Sequence, residues 1–170
     1  MMMQQIKKNK QLKQIGLKNE EAAFEAVIAV RSKHHNLTLE QAKRPEAETY
    51  VGRLFLQGFL SEQQYQAAQN FLRLRHNYLK SIGAHGIYYN DDPSMGVECF
   101  EDYARKIKDR YNACLKFVAN ECKHSALNII EYVLVRDMEM PLFIDRIKKI
   151  CEVIDKFFYD GLTNKKIHLN

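Results

Sequence analysis

The chain has 170 residues, 46% of them hydrophobic, which is ample for a single core, and only 7 glycines and 3 prolines interrupt it. No apolar run approaches bilayer length and the lysines near the N-terminus have no apolar block behind them, so neither a membrane span nor a secretory leader is expected and a cytoplasmic protein is. The net charge of +5 sits at one end: Lys7, Lys8, Lys10, Lys13 and Lys18 supply it without an acid among the first 18 residues, while the remaining 21 basic and 21 acidic residues cancel.

In chain order, residues 1–18 form a basic arm suited to phosphate or to an acidic partner surface, or a disordered solvated end that aids solubility. Asn19 can cap a helix through about residue 35, with Glu20 and Glu21 in its first turn and Ala23, Val27 and Val30 on one side. Thr38-Leu39-Glu40-Gln41 has the spacing of a capping box, but Pro45 cuts the helix short, because the residue before proline is pushed out of the helical region. Pro45 itself suits a first helical position, and a helix to Gln57 carries Ala47, Tyr50, Val51, Leu54 and Phe55 at helical spacing until Gly58 stops it.

Ser61-Glu62-Gln63-Gln64 is a second capping box, opening a helix to Lys80 with two stripes. Tyr65, Ala68, Phe71, Leu72, the Arg75 stem, Tyr78 and Leu79 face a core; Gln63, Gln66, Asn70, Arg73, Asn77 and Lys80 recur on the other side. Residues 81–96 hold three of the seven glycines together with Asp91 and Asp92, and read as a surface loop or a mobile binding element. A long helix from Val97 to about Glu121 follows, striped by Phe100, Tyr103, Ile107, Tyr111, Cys114, Leu115 and Val118. Ser125 is placed to cap a segment to Arg136, read as helix although Ile129, Ile130, Val133 and Val135 raise its β propensity. Pro141 opens a last helix striped by Phe143, Ile147, Ile150, Ile154 and Phe157, with Asp145–Lys149 and Glu152–Lys156 as acid-before-base pairs and Gly161 as its stop. The expectation is an all-α fold: a compact bundle of about five or six helices over residues 19–170, in halves 19–80 and 97–160 joined by loop 81–96, behind the basic N-terminal arm.

Chemistry-bearing patterns are sparse. Cys99, Cys114, Cys122 and Cys151 are widely spaced, without a Cys-x-x-Cys, so they read as reduced thiols and no metal site is expected. Asp91-Asp92 lacks a third carboxylate at a helical spacing, His85 lacks a visible partner, and His34-His35 and His76 fit helix-end or anion contacts better than base catalysis. There is no nucleophile elbow, phosphate-cradling loop or dinucleotide fingerprint, so neither an enzyme nor a cofactor is expected.

The stripe on the Ser61 helix points elsewhere. Asn and Gln can bond an adenine edge and Arg and Lys can hold guanine or phosphate, so Gln66, Asn70, Arg73, Asn77 and Lys80, with Lys7, Lys8, Lys10 and Lys13 of the arm, form a candidate nucleic-acid-binding set. Between Arg31 and Lys80 eight basic residues face four acids, which adds to the arm's charge. The helix pair around Gly58 resembles a helix-turn-helix in outline, though Leu54 stands where that family has a small residue before the turn and Gln64 where it has a buried apolar one. Tyr88 and Tyr89 could stack on bases or anchor a partner, or fold back as a lid.

The stretch from Val51 through Gly58-Phe59-Leu60-Ser61-Glu62-Gln63-Gln64-Tyr65-Gln66-Ala67-Ala68, continuing to Leu79-Lys80-Ser81-Ile82-Gly83-Ala84, resembles uncharacterised helical proteins of alphaproteobacteria and their prophages, over about half of the chain. The resemblance implies a small cytoplasmic protein of phage or mobile-element context, serving DNA packaging, replication or transcription control, and transfers no site residue. Two readings follow: a non-enzymatic nucleic-acid-binding protein, with DNA the expected partner, and a protein-interaction or homo-oligomer-forming bundle without nucleic-acid contact.

Overall fold

The computed structural model describes residues 21–83 and 97–167, with side chains over 21–83 and 101–159. The fold is all-α: seven α-helices occur among these residues, and no strand. The chain divides into two compact units, Met1–Gln57 and Gly58–Asn170, so the boundary falls at the turn glycine and not in segment 81–96. Gly58 has φ 78, a left-handed geometry that a side chain resists, which makes it a natural stop for the helix that closes the first unit at Gln57.

In the first unit, α1 is helical over 21–35 and ends at Asn36, whose φ of 56 is tolerated because a short polar side chain suits that region. Ser32 Oγ donates to the Leu37 carbonyl (2.7 Å) and fixes the exit. Thr38 then caps α2 (Leu39–Lys43) with the expected reciprocal box: its hydroxyl accepts from Gln41 N while the Gln41 side chain accepts from Thr38 N.

The helix expected over Pro45–Gln57 is two elements. Pro45–Glu48 is a single 3-10 turn, Thr49 is extended, and α3 begins afresh at Tyr50–Leu56. The cause is local: the Thr49 hydroxyl accepts from Gly52 N at 3.1 Å, and the Glu46 carbonyl lies where a Cβ on residue 52 would be. A small core of Ile28, Leu37, Ala42, Ala47 and Leu56, with Phe55 against it, holds the unit. Gln41 Nε2 donates to the Leu56 carbonyl (2.6 Å) and Gln57 Nε2 to the His35 carbonyl (2.8 Å).

The second unit is built from α4 (Glu62–Gly83), α5 (Val97–Cys122) and α7 (Ile144–Ile167), which pack pairwise against one another, with the short α6 (Ser125–Ile129) against α5 and α7. Phe71, Cys114, Val118, Ile147, Cys151 and Ile154 are fully enclosed. Tyr111 links α5 to α4, stacking on Tyr78 (4.5 Å between centroids) and lying 6.0 Å from Phe71. Burial pushes the Cys114 and Cys151 thiols up to about 12, in keeping with their reading as small core residues.

Several boundaries differ from expectation. Residues 81–83 belong to α4, with Ser81 buried and its hydroxyl donating to the Tyr78 carbonyl, so the irregular segment starts later. Ser125 is the first residue of α6 instead of its cap, its hydroxyl accepting from Arg146 at 3.3 Å. The β-branched run continues from α6 as a π-helical turn, Ile130–Val135, and not as a strand. A 3-10 turn, Pro141–Phe143, precedes α7, and α7 passes through Gly161 to Ile167, because one glycine lowers helix propensity without ending a helix that has continuing backbone bonds. The carboxylates on α7 pair three residues apart, Asp145 with Lys148 (3.7 Å) and Glu152 with Lys149 (3.8 Å), instead of four. Leu79 and Tyr103, placed in core stripes by spacing, are exposed.

Candidate nucleic-acid interface

The capping box that opens α4 is present: Gln64 Oε1 accepts from Ser61 N (2.8 Å), and Ser61 Oγ accepts from Gln64 N (3.2 Å). Gln64 also donates to Glu152 on α7 (3.1 Å), so the position that a helix-turn-helix would fill with an apolar residue serves here as a cap and a tether. From this fixed start the helix runs 22 residues and buries Ala67, Ala68, Phe71, Leu74 and Ser81 on one side.

At 3.6 residues per turn, Gln66, Asn70, Arg73, Asn77 and Lys80 fall within an arc of about 80°, centred about 110° around the helix from that buried side, over about 21 Å of helix. Gln66, Arg73 and Lys80 are exposed and Asn70 and Asn77 half-buried. Arg73 donates to the Asn70 carboxamide oxygen, which steers the guanidinium along the helix and occupies one of the two groups Asn70 would need for an adenine edge. Neither Arg73 nor Lys80 is paired with a carboxylate among the described residues. Glu62, a full helix length from Lys80, is the only acid on α4. His76 is exposed on the same outward side, extending the set by one residue.

Arg75 does not join it. Two residues from Arg73 is about 200° around a helix, and the Arg75 guanidinium instead bonds the Tyr111 hydroxyl. Burial raises the Tyr111 pKa, and the charge and hydrogen bond of Arg75 partly offset that shift. Of the three cations in the second half of this helix, Arg73 and Lys80 are therefore exposed and Arg75 is half-buried, where the core stripe placed its stem. That division was available from the spacing alone.

Lys7, Lys8, Lys10, Lys13, Tyr88 and Tyr89 lie outside the described residues, as do Asp91, Asp92 and His85. Among the described residues no group of three or more His, Cys, Asp or Glu side chains could hold a metal ion. No helix of theirs is long and apolar enough to cross a membrane. No family model, curated protein or solved structure matches the chain.

Proposed function

We propose that the protein is a non-enzymatic nucleic-acid-binding protein, with duplex DNA as partner and α4 of the second unit as the contacting element. The observation that carries this reading is the outward row of Gln66, Asn70, Arg73, Asn77 and Lys80, in which two cations without carboxylate partners among the described residues alternate with amide side chains. Arg73 and Lys80 neutralise phosphates, Gln66 and Asn77 reach base edges, and Asn70 positions Arg73. The lysine arm adds sequence-independent attraction. The resemblance of residues 51–84 to prophage-borne helical proteins favours packaging, replication or transcription control in the cytoplasm as the setting.

Fluorescence anisotropy of a labelled duplex across a salt series tests this. Each phosphate contact contributes about 0.9 to the slope of log affinity against log salt, so Arg73→Ala with Lys80→Ala flattens the slope by about 1.8. Absence of binding at low salt, or an unchanged slope in the double variant, overturns the reading. A protein-binding bundle is the second reading, favoured by Tyr132, Met138 and Leu142, which expose large apolar surface between the π turn and α7.

A further inference from the structure

Residues 22–30, Ala-Ala-Phe-Glu-Ala-Val-Ile-Ala-Val, hold eight apolar side chains and one acid, a composition suited to a helix covered on most of its circumference. Within 21–30, however, Ile28 alone is buried. Phe24, Val27 and Val30 remain 61%, 54% and 68% exposed and follow one another at three-residue spacing, a continuous apolar stripe beside the Ile28 face. A helix whose fifteen described residues, 21–35, draw so little from their own core is marginal in water, so its stability calls for another surface.

We propose that this surface is the same helix of a second copy, with two α1 helices packed antiparallel about a two-fold axis at Val27. The charge distribution selects that occupant and direction. Glu21 and Glu25 are exposed early in residues 21–35 and Lys33 is exposed late, while Arg31 is half-buried and bound within its own unit to Glu48 (3.9 Å) and the Ala42 carbonyl (3.1 Å), so an antiparallel pair sets Glu21 alongside Lys33, whereas a parallel pair sets like beside like. Antiparallel packing also opposes the two helix dipoles. The two-fold brings Val27 against Val27 and Phe24 toward Val30 of the second copy, and Ala23 and Ala26 allow close approach. Exposed carboxylates at Glu21 and Glu25 make an anionic lipid surface a poor alternative for the stripe.

Phe24, Val27 and Val30 present on the order of 300 Å² per copy, or roughly 600 Å² for the pair, against about 1,200 Å² for long-lived interfaces. The dimer is accordingly a dynamic, concentration-dependent one. It is independent of the nucleic-acid reading, since none of its residues lies on α4.

Sedimentation of the full chain from about 5 to about 500 µM reads the equilibrium directly. The mass is expected to rise from the 20.0 kDa of one chain toward twice that value. Val27→Asp, which seats two carboxylates face to face on the axis, is expected to hold the mass at one chain throughout, with the chain still folded and its helicity close to that of the wild-type chain at concentrations where it is a monomer. Nitroxide labels at Ala26 then lie close together in the dimer, and labels at Lys33 about 18 Å apart along the axis; equal separations at the two sites would mean a parallel pair. A single-chain mass at every concentration, or a dimer indifferent to Val27→Asp, overturns the proposal. So does a Val27→Asp chain that unfolds as a monomer, because Val27 is then covered within its own chain. Capture of the wild-type monomer by phosphatidylserine vesicles, lost in Val27→Asp, would assign the stripe to lipid and equally overturn it.

Discussion

Gly52→Ala replaces one hydrogen by a methyl group at the most crowded glycine among the described residues. The added Cβ would stand 1.9 Å from the Glu46 carbonyl oxygen and 2.9 Å from Thr49 Oγ1, the very atom that caps α3. Relief requires the Glu46 peptide to retreat by more than about 1 Å, and that carbonyl also accepts from Thr49 N at 3.3 Å, so the 3-10 turn and the cap loosen together. Overpacking costs about 1–3 kcal/mol and a lost cap about 1 kcal/mol, against at most about 1 kcal/mol gained from the better helix propensity of alanine. The net loss is about 2–3 kcal/mol, or about 4–12 °C in melting temperature for a cooperative chain of this size. Two other glycines isolate the cause. Gly58 has open space around it but φ +78, so Gly58→Ala carries only the left-handed penalty of about 1 kcal/mol; Gly83 has open space and an ordinary helical φ, so Gly83→Ala is neutral or slightly stabilising. Circular-dichroism melts of the three variants should rank 52 below 58 below 83. A Gly52→Ala chain as stable as Gly83→Ala would refute the close approach of Glu46 to α3.

Three further outcomes are expected. Iodoacetamide at pH 8 should label Cys122 in the native chain and leave Cys114 and Cys151 untouched until denaturation, since burial holds both thiols at about 12 and only about one in ten thousand is ionised; mass mapping that finds either modified as fast as Cys122 contradicts their enclosure. By linkage, these raised values contribute stability that is complete below the ordinary thiol pKa near 9 and lost as pH rises toward 12, so alkaline unfolding should begin in that window. Lys123 closes α5 with φ 68 and an exposed side chain, so Lys123→Gly should raise stability by about 0.5–1 kcal/mol in a urea titration, and a lowered midpoint would show that its geometry is not strained.

Local features were legible because their physics is local. The boxes at Thr38 and Ser61 each need only four residues in sequence, and both are present with both hydrogen bonds. Asn36, Gly58 and Asp137 take left-handed positions that their residue types accept, whereas Lys123 takes the same region with nothing in its type to announce it. Periodicity placed Phe71, Ile147, Ile150 and Ile154 in the core, and the outward arc of Gln66, Asn70, Arg73, Asn77 and Lys80 follows from 3.6 residues per turn.

What needed the tertiary structure is whatever depends on a neighbour distant in sequence or on a choice between near-equal backbone states. Spacing gives α1 an apolar side but not its cover, and Val27 and Val30 stay exposed because the core of the first unit reaches only Ile28. Thr49 interrupts the helix from Pro45 as one of two near-equal backbone choices, its hydroxyl capping α3 while the Glu46 carbonyl closes onto residue 52, which only glycine allows. The turn from Ile130 to Val135 widens to π geometry, and α7 continues past Gly161, since each differs from its alternative by about 1 kcal/mol per residue or less. Sequence by itself determined helices, caps and faces; packing decided which faces meet, because burial is settled between elements and not within them.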